Sequence, residues 1–135
     1  MKAELVAFIR SRGHEVTDVG SHDPNPVDFP DIARKVARAI TSGEAERGLM
    51  VCGTGVGASI GANKMKGIRA AVCHDVHSAH QCVEHDDVNV MCIGAQIVGP
   101  WLAKDLVAAY LDARFSTDED FRRRVAKLAE MDEGR

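Results

Sequence analysis

The chain has 135 residues, 45% hydrophobic and 27% charged, with a formal net charge of −3. That length fits one domain with a sizeable core. The mild acidity excludes a field built for nucleic acid or an anionic membrane, and no apolar run approaches the roughly 20 residues that span a bilayer.

Leu5, Phe8 and Ile9 recur at helical spacing and Gly13 ends the pattern, so the chain opens in a helix. "EVTDVG" (15–20) reads as a short strand, and the proline, asparagine and aspartate of "SHDPNPVDFP" (21–30) as a loop. A helix from about Pro30 places Ile32, Ala33, Val36, Ala37 and Ile40 on one face and stops before Gly43. "RGLMVCG" is a buried-type strand, and "TGVGASIGANK" turns into a helix. "IRAAVC" is another strand, "DVHSAHQCVEH" a helix, and "VNVMCIG" a further apolar strand. Helices from about Pro100 to Ala113 and over "TDEDFRRRVAKLAEM" follow, the last with acids leading and bases trailing, as a helix dipole favours.

Strands alternating with helices predict a three-layer αβα domain on a mostly parallel, Rossmann-like sheet. Doubly wound folds commonly place their first strand centrally. This chain opens in a helix instead, so the fold begins with a helix or the sequence starts late; the second reading, a missing first strand, is adopted.

The four cysteines, Cys52, Cys73, Cys82 and Cys92, form no CxxC pair, and three lie in apolar runs. Reduced thiols in a cytoplasmic protein are the expectation. "CHDVHSAHQCVEH" (73–85) raises the question of a metal. On one helix His74 and His80 point in different directions, so three histidines cannot converge, although a pair with Cys73 or Cys82 stays open. Most of these histidines read as polar residues on or beside an exposed helix face. His85 belongs to the loop entering the next strand. It therefore stands far from any site at the strand C-termini, unless the helix end projects or a second subunit brings it across.

Ligands bind at the carboxyl ends of strands in such sheets. Gly53, Gly55 and Gly57 follow the strand that ends at Cys52, and they let amides crowd around one point before a helix begins. The spacing is neither a dinucleotide fingerprint nor a P-loop. Cys52 can project toward the same point as a base or nucleophile; the plain alternative is a core cysteine capping a buried strand.

The run "CGTGVGASIGANKMKGIRAAVCHDVHSAHQCVEHDDVNVMCIGAQIVGP" resembles the ribose-5-phosphate isomerase type B and galactose-6-phosphate isomerase family, and the likeness extends over nearly the whole chain. The resemblance implies one sugar-phosphate isomerase domain over 1–135. It also implies a homodimer with active sites between subunits, the C-terminal helix (about 118–131) against the partner and tetramers left open. The activity it implies is aldose–ketose isomerisation of a phosphosugar, with no metal and no cofactor. Cys52 then resembles the base that moves a proton between C1 and C2, and His85 the residue that opens the ring. Thr54 and the amides of Gly53, Gly55, Val56 and Gly57 would hold the enediolate, while Asp86, Gln96 and Arg124 (Arg123 in the alternative register) fall at substrate-binding positions.

The departures matter as well. The family's Asp-His loop is absent, Phe29 stands for a tyrosine, Asp86 for an asparagine and Gln96 for an arginine. Ala58 stands where one branch carries a glutamate base, and "TDEDF" replaces "GGRH". Ribose 5-phosphate is the simplest substrate. A tetrose or hexose phosphate, or an impaired sugar-phosphate-binding subunit, are the alternatives.

Overall fold

A computed structural model describes residues 1–135. In chain order the elements are α1 (Lys2–Ser11), α2 (Phe29–Thr41), β1 (Gly48–Cys52), α3 (Val56–Asn63), β2 (Ala70–Val72), α4 (Val76–Asp86), β3 (Val90–Gly94), α5 (Pro100–Asp112) and α6 (Glu119–Glu133). The three strands are parallel in the order β1-β3-β2, with Gly48 opposite Val90 and Cys52 opposite Gly94. All five residues of β3 are buried, as a central strand covered on both faces requires.

Alternation along β3 divides the interior in two. Met91 and Ile93 point into a cluster with Leu5 of α1, Ala79, Cys82 and Val83 of α4, and Leu106, Val107 and Tyr110 of α5. Val90 and Cys92 point the other way, into Met50 of β1, Ala33, Val36 and Ala37 of α2, and Ala58 and Ala62 of α3. The fold is thus the three-layer αβα arrangement expected, with α2 and α3 on one face and α1, α4 and α5 on the other.

One sequence expectation fails. Residues 15–20 form no strand, and no sheet neighbour pairs with them. Their polar groups are satisfied locally instead: the Gly20 N–H donates to Asp18 Oδ1 at 3.1 Å, and Lys2 Nζ lies 3.1 Å from Asp18 Oδ2. An aspartate that bonds the amide two residues on builds a turn in competition with a ladder.

Arg47 locks the start of β1 to the end of α5. Its guanidinium donates to the carbonyls of Tyr110 and Ala113, supplying a cation and hydrogen bonds to orphan carbonyls at a helix C-terminus. The buried Tyr110 hydroxyl donates to the Gly48 carbonyl at 3.2 Å, and desolvation pushes its pKa well above the ordinary phenol value, so it keeps its proton.

Candidate active site

Successive strands leave the sheet toward opposite faces at β1 and β3, because β1 runs on to α3 and β3 to α5. A crevice opens where neighbouring strands diverge in this way. Cys52 ends β1 at that crevice, directly opposite Gly94 of β3.

The turn after Cys52 is made by backbone that only glycine tolerates. Gly55 is buried at φ 82° and serves as N-cap of α3, while its N–H donates to Cys52 Sγ at 3.1 Å. Ser59 N–H takes the first helical bond, to the Gly55 carbonyl. The Val56 N–H donates to Thr54 Oγ1 at 3.3 Å. The amides of Gly53, Thr54, Gly57 and Ala58 donate to no protein group. Four N–H groups without protein partners and the positive end of α3 therefore follow the cysteine within one turn, an arrangement suited to an anionic oxygen.

Two neighbours shape the walls. Segment 94–97 is clipped to the turn by Ala95 N–H donating to the Cys52 carbonyl at 2.7 Å and Gln96 N–H to the Gly53 carbonyl at 3.0 Å. A methyl group on Gly53 would sit 3.3 Å from Gln96 Nε2, so the Gln96 side chain lies against the turn. The Phe29 ring covers Gly57 at 3.0 Å from where a Cβ would be.

Cys52 is set apart from the other thiols by its surroundings. Desolvation pushes Cys92 up to about 12. Cys73 and Cys82 are both buried and their mutual interaction lowers the first and raises the second, with burial adding to the rise, while the Cys82 thiol donates to the Ala79 carbonyl at 3.3 Å. Cys73 and Cys92 lie in the core as the apolar runs around them predict, and Cys82 joins them from α4, whereas Cys52, which also follows an apolar run, is half-buried at a strand end with an amide aimed at its sulfur.

The remaining predicted residues assemble elsewhere. His85 ends α4 and stacks on Phe121 of α6 with ring centroids 3.9 Å apart and planes 12° from parallel. Arg124 lies over the same Phe121, its Cζ 5.8 Å from the ring centroid, and Asp86 is exposed beside His85. This second group stands at the entry to β3, the end of the sheet away from Cys52. One chain therefore brings together Cys52, Gly53, Thr54, Gly55, Val56, Gly57 and Gln96, and separately His85, Asp86 and Arg124.

Sequence reasoning missed Phe121 and His74. Phe121 is the one aromatic residue inside a charged run, which was the available signal. His74 is not on a helix face at all. It lies in the three-residue link between β2 and α4, half-buried, and its Nε2 accepts the Gly94 N–H at 2.8 Å. His80 pairs with Glu84 through Nε2, and no three His, Cys, Asp or Glu side chains converge as a metal site requires.

A doubly wound α/β domain with a cysteine in a cradle of main-chain donors defines a class that handles small anionic ligands at its switch point. The family model for ribose/galactose isomerase matches residues 1–128, and the chain belongs to that family. It is 43% identical over 118 residues to D-erythrulose-4-phosphate isomerase of Pectobacterium atrosepticum, covering 85% of this chain and 76% of that protein. It is 45% identical over 115 residues to ribose-5-phosphate isomerase B of Escherichia coli, covering 85% and 77%. The solved ribose-5-phosphate isomerase B of Clostridium thermocellum superposes with a TM-score of 0.95 at 44% identity, over 98% of this chain and 89% of the other.

Proposed function

We propose that this chain interconverts an aldose phosphate and its ketose, with ribose 5-phosphate and ribulose 5-phosphate as the first pair. The observation that carries the reading is Cys52 Sγ at the end of β1, accepting the Gly55 N–H in a turn whose Gly53, Thr54, Gly57 and Ala58 amides bond no protein group. Cys52 takes the proton from C2 of the open-chain aldose, and the C2–H electron pair forms the C1=C2 bond of an enediolate. The free N–H groups of Gly53, Thr54 and Gly57 hold its oxygens where negative charge develops. Cys52 returns the proton to C1, the C2 hydroxyl proton passes to the oxygen on C1, and the ketose results. A base that shuttles one proton between adjacent carbons needs a single position within reach of both, which a strand-end side chain provides.

Ring opening is assigned to His85 of the partner subunit, because His85 and Cys52 of one chain lie at opposite ends of the sheet. The same arrangement delivers the partner's Arg124 to the phosphate. A homodimer with two shared sites follows, with α6 at its interface, working in the cytoplasm without metal or cofactor. A second reading, a tetrose or hexose phosphate as substrate, is favoured by Gln96 against Gly53 and the exposed Asp86, which remove a cation and add an anion relative to the resemblance. The test is ketose formation from ribose 5-phosphate, erythrose 4-phosphate and allose 6-phosphate by the chain and by Cys52→Ala. Turnover of one substrate, reduced about a thousandfold or more by the substitution, is expected. Turnover of none, with dimer and fold intact, would leave a sugar-phosphate-binding subunit.

A further inference from the structure

We propose that His74 is a positioning residue of the isomerase site, holding the Gly94–Gln96 wall against the Cys52 turn through a bond that its neutral ring alone can make. The proposal rests on the isomerase reading for its effect on turnover, and on geometry for the bond itself.

Consider the rung where β2 ends. The Cys73 N–H donates to the Cys92 carbonyl at 3.2 Å, the last rung between β2 and β3. The next donor up β3 on that side, the Gly94 N–H, is taken by a side chain, His74 Nε2, at 2.8 Å. An imidazole thus stands where a carbonyl would continue the ladder. A carbonyl accepts at any pH; an imidazole nitrogen accepts only while it carries no proton, here with the ring hydrogen on Nδ1.

Gly94 is where the wall meets the turn. A Cβ there would lie 2.7 Å from Thr54 Cα and 2.8 Å from the Gly53 carbonyl oxygen, so the two backbones touch. The bonds from Ala95 and Gln96 to the Cys52 and Gly53 carbonyls continue the same seam. His74 holds one side of Gly94 while the Cys52 turn occupies the other. A second proton on the ring turns the acceptor into a donor facing a donor, and the wall loses its outer anchor. Activity then falls in acid through the shape of the site.

The ionisable groups nearest His74 along the chain and the ladder are Cys73 and Asp75 beside it, His77 in the first turn of α4, Cys92 two residues before Gly94, and Cys52 opposite Gly94 in β1. Asp75 is anionic and is engaged by the Ser78 N–H at 2.7 Å. Cys73 and Cys92 are buried.

The experiment uses the full chain, 15N-labelled, with His74→Gln (an untitratable acceptor) and His74→Leu (no acceptor). The Gly94 amide shift is expected to move with pH on the midpoint of the His74 ring protons, and to stay flat in His74→Gln. In His74→Leu, kcat drops about tenfold with KM nearly unchanged, and Gln restores it while removing the His74 share of the acid limb. The rate of Cys52 alkylation by iodoacetamide changes severalfold in His74→Leu and returns with Gln, a readout that needs no substrate. A Gly94 amide indifferent to His74 titration, or wild-type kcat, pH profile and alkylation in His74→Leu, overturns the proposal while leaving the isomerase reading intact. Amide and alkylation effects in a chain that turns over no phosphosugar would support the positioning role and sink the isomerase reading.

Discussion

Two inactive variants mixed together test the shared site most directly. Cys52 closes β1 and His85 ends α4 before β3 begins, with Gly48 opposite Val90 and Cys52 opposite Gly94. Four residue steps at about 3.3 Å put roughly 13 Å of strand between Cys52 and the end of the sheet to which α4 delivers His85. On the proposed mechanism ring opening and proton transfer act on bonded neighbours in one small sugar, so the Cys52 and His85 of one chain would not serve the same sugar. Cys52→Ala and His85→Ala are each expected to be inactive. In the proposed two-fold dimer each site would pair Cys52 of one chain with His85 of the other. A mixed dimer carries one intact pairing and one doubly damaged pairing. Random exchange makes about half the dimers mixed, so about a quarter of wild-type activity returns. The assay is ketose formation after exchange in mild denaturant, with native mass spectrometry to count mixed dimers. Mixed dimers that form and stay silent would refute the reasoning, as would full activity in either single variant.

Other outcomes follow from the same geometry. Gly94→Ala forces a methyl to 2.7 Å from Thr54 Cα. It should cost about 1–3 kcal/mol and roughly 3–10 °C in Tm, with lost turnover. Gly99→Ala, whose methyl meets nothing within 4 Å, is the control and should stay within about 0.5 kcal/mol in calorimetry. Burial raises Cys92 from 9.0 to about 12, so the folded chain keeps a proton that the unfolded chain releases. That contribution is complete below pH 9 and is lost as pH climbs toward 12, by up to about 1.4 kcal/mol per pH unit. Urea midpoints from about pH 8 to about pH 10.5 should fall, and fall less in Cys92→Ala; equal slopes in the two would refute the burial argument.

The parts legible in the sequence are those whose signal is local. "VMCIG" reads as a buried strand because both faces of a central parallel strand are apolar, and β3 indeed feeds Met91 and Ile93 to one cluster and Val90 and Cys92 to the other; "GLMVC" reads the same way, yet β1 lies at the sheet edge with only Met50 fully buried. The glycines after Cys52 read as an anion turn because positive φ and close approach have few other uses. "EVTDVG" misled because strand propensity needs a partner to act on, and Asp18 offered the backbone a turn instead. His74 misled for a different reason. Its neighbours in sequence belong to a helix, yet β2 stops at Val72 and α4 starts at Val76, and only the ladder shows what a residue in that gap can reach. The separation of Cys52 from His85 was legible from parallel topology alone, whereas Phe121 showed only as an aromatic in a charged run, and its stack on His85 depends on how α6 returns to α4.

The donors around Cys52 are main-chain amides, and this bears on how such a protein changes over time. A backbone N–H survives nearly any side-chain substitution, so the groups facing the reacting carbons are sheltered from drift as long as the glycines keep the turn. The groups proposed to meet the rest of a ligand, Phe29, Gln96, Asp86 and Arg124, are side chains and exposed to it. Chemistry and selectivity are thereby written in two different alphabets on one small domain. A lineage can exchange one sugar for another by altering the second without rebuilding the first.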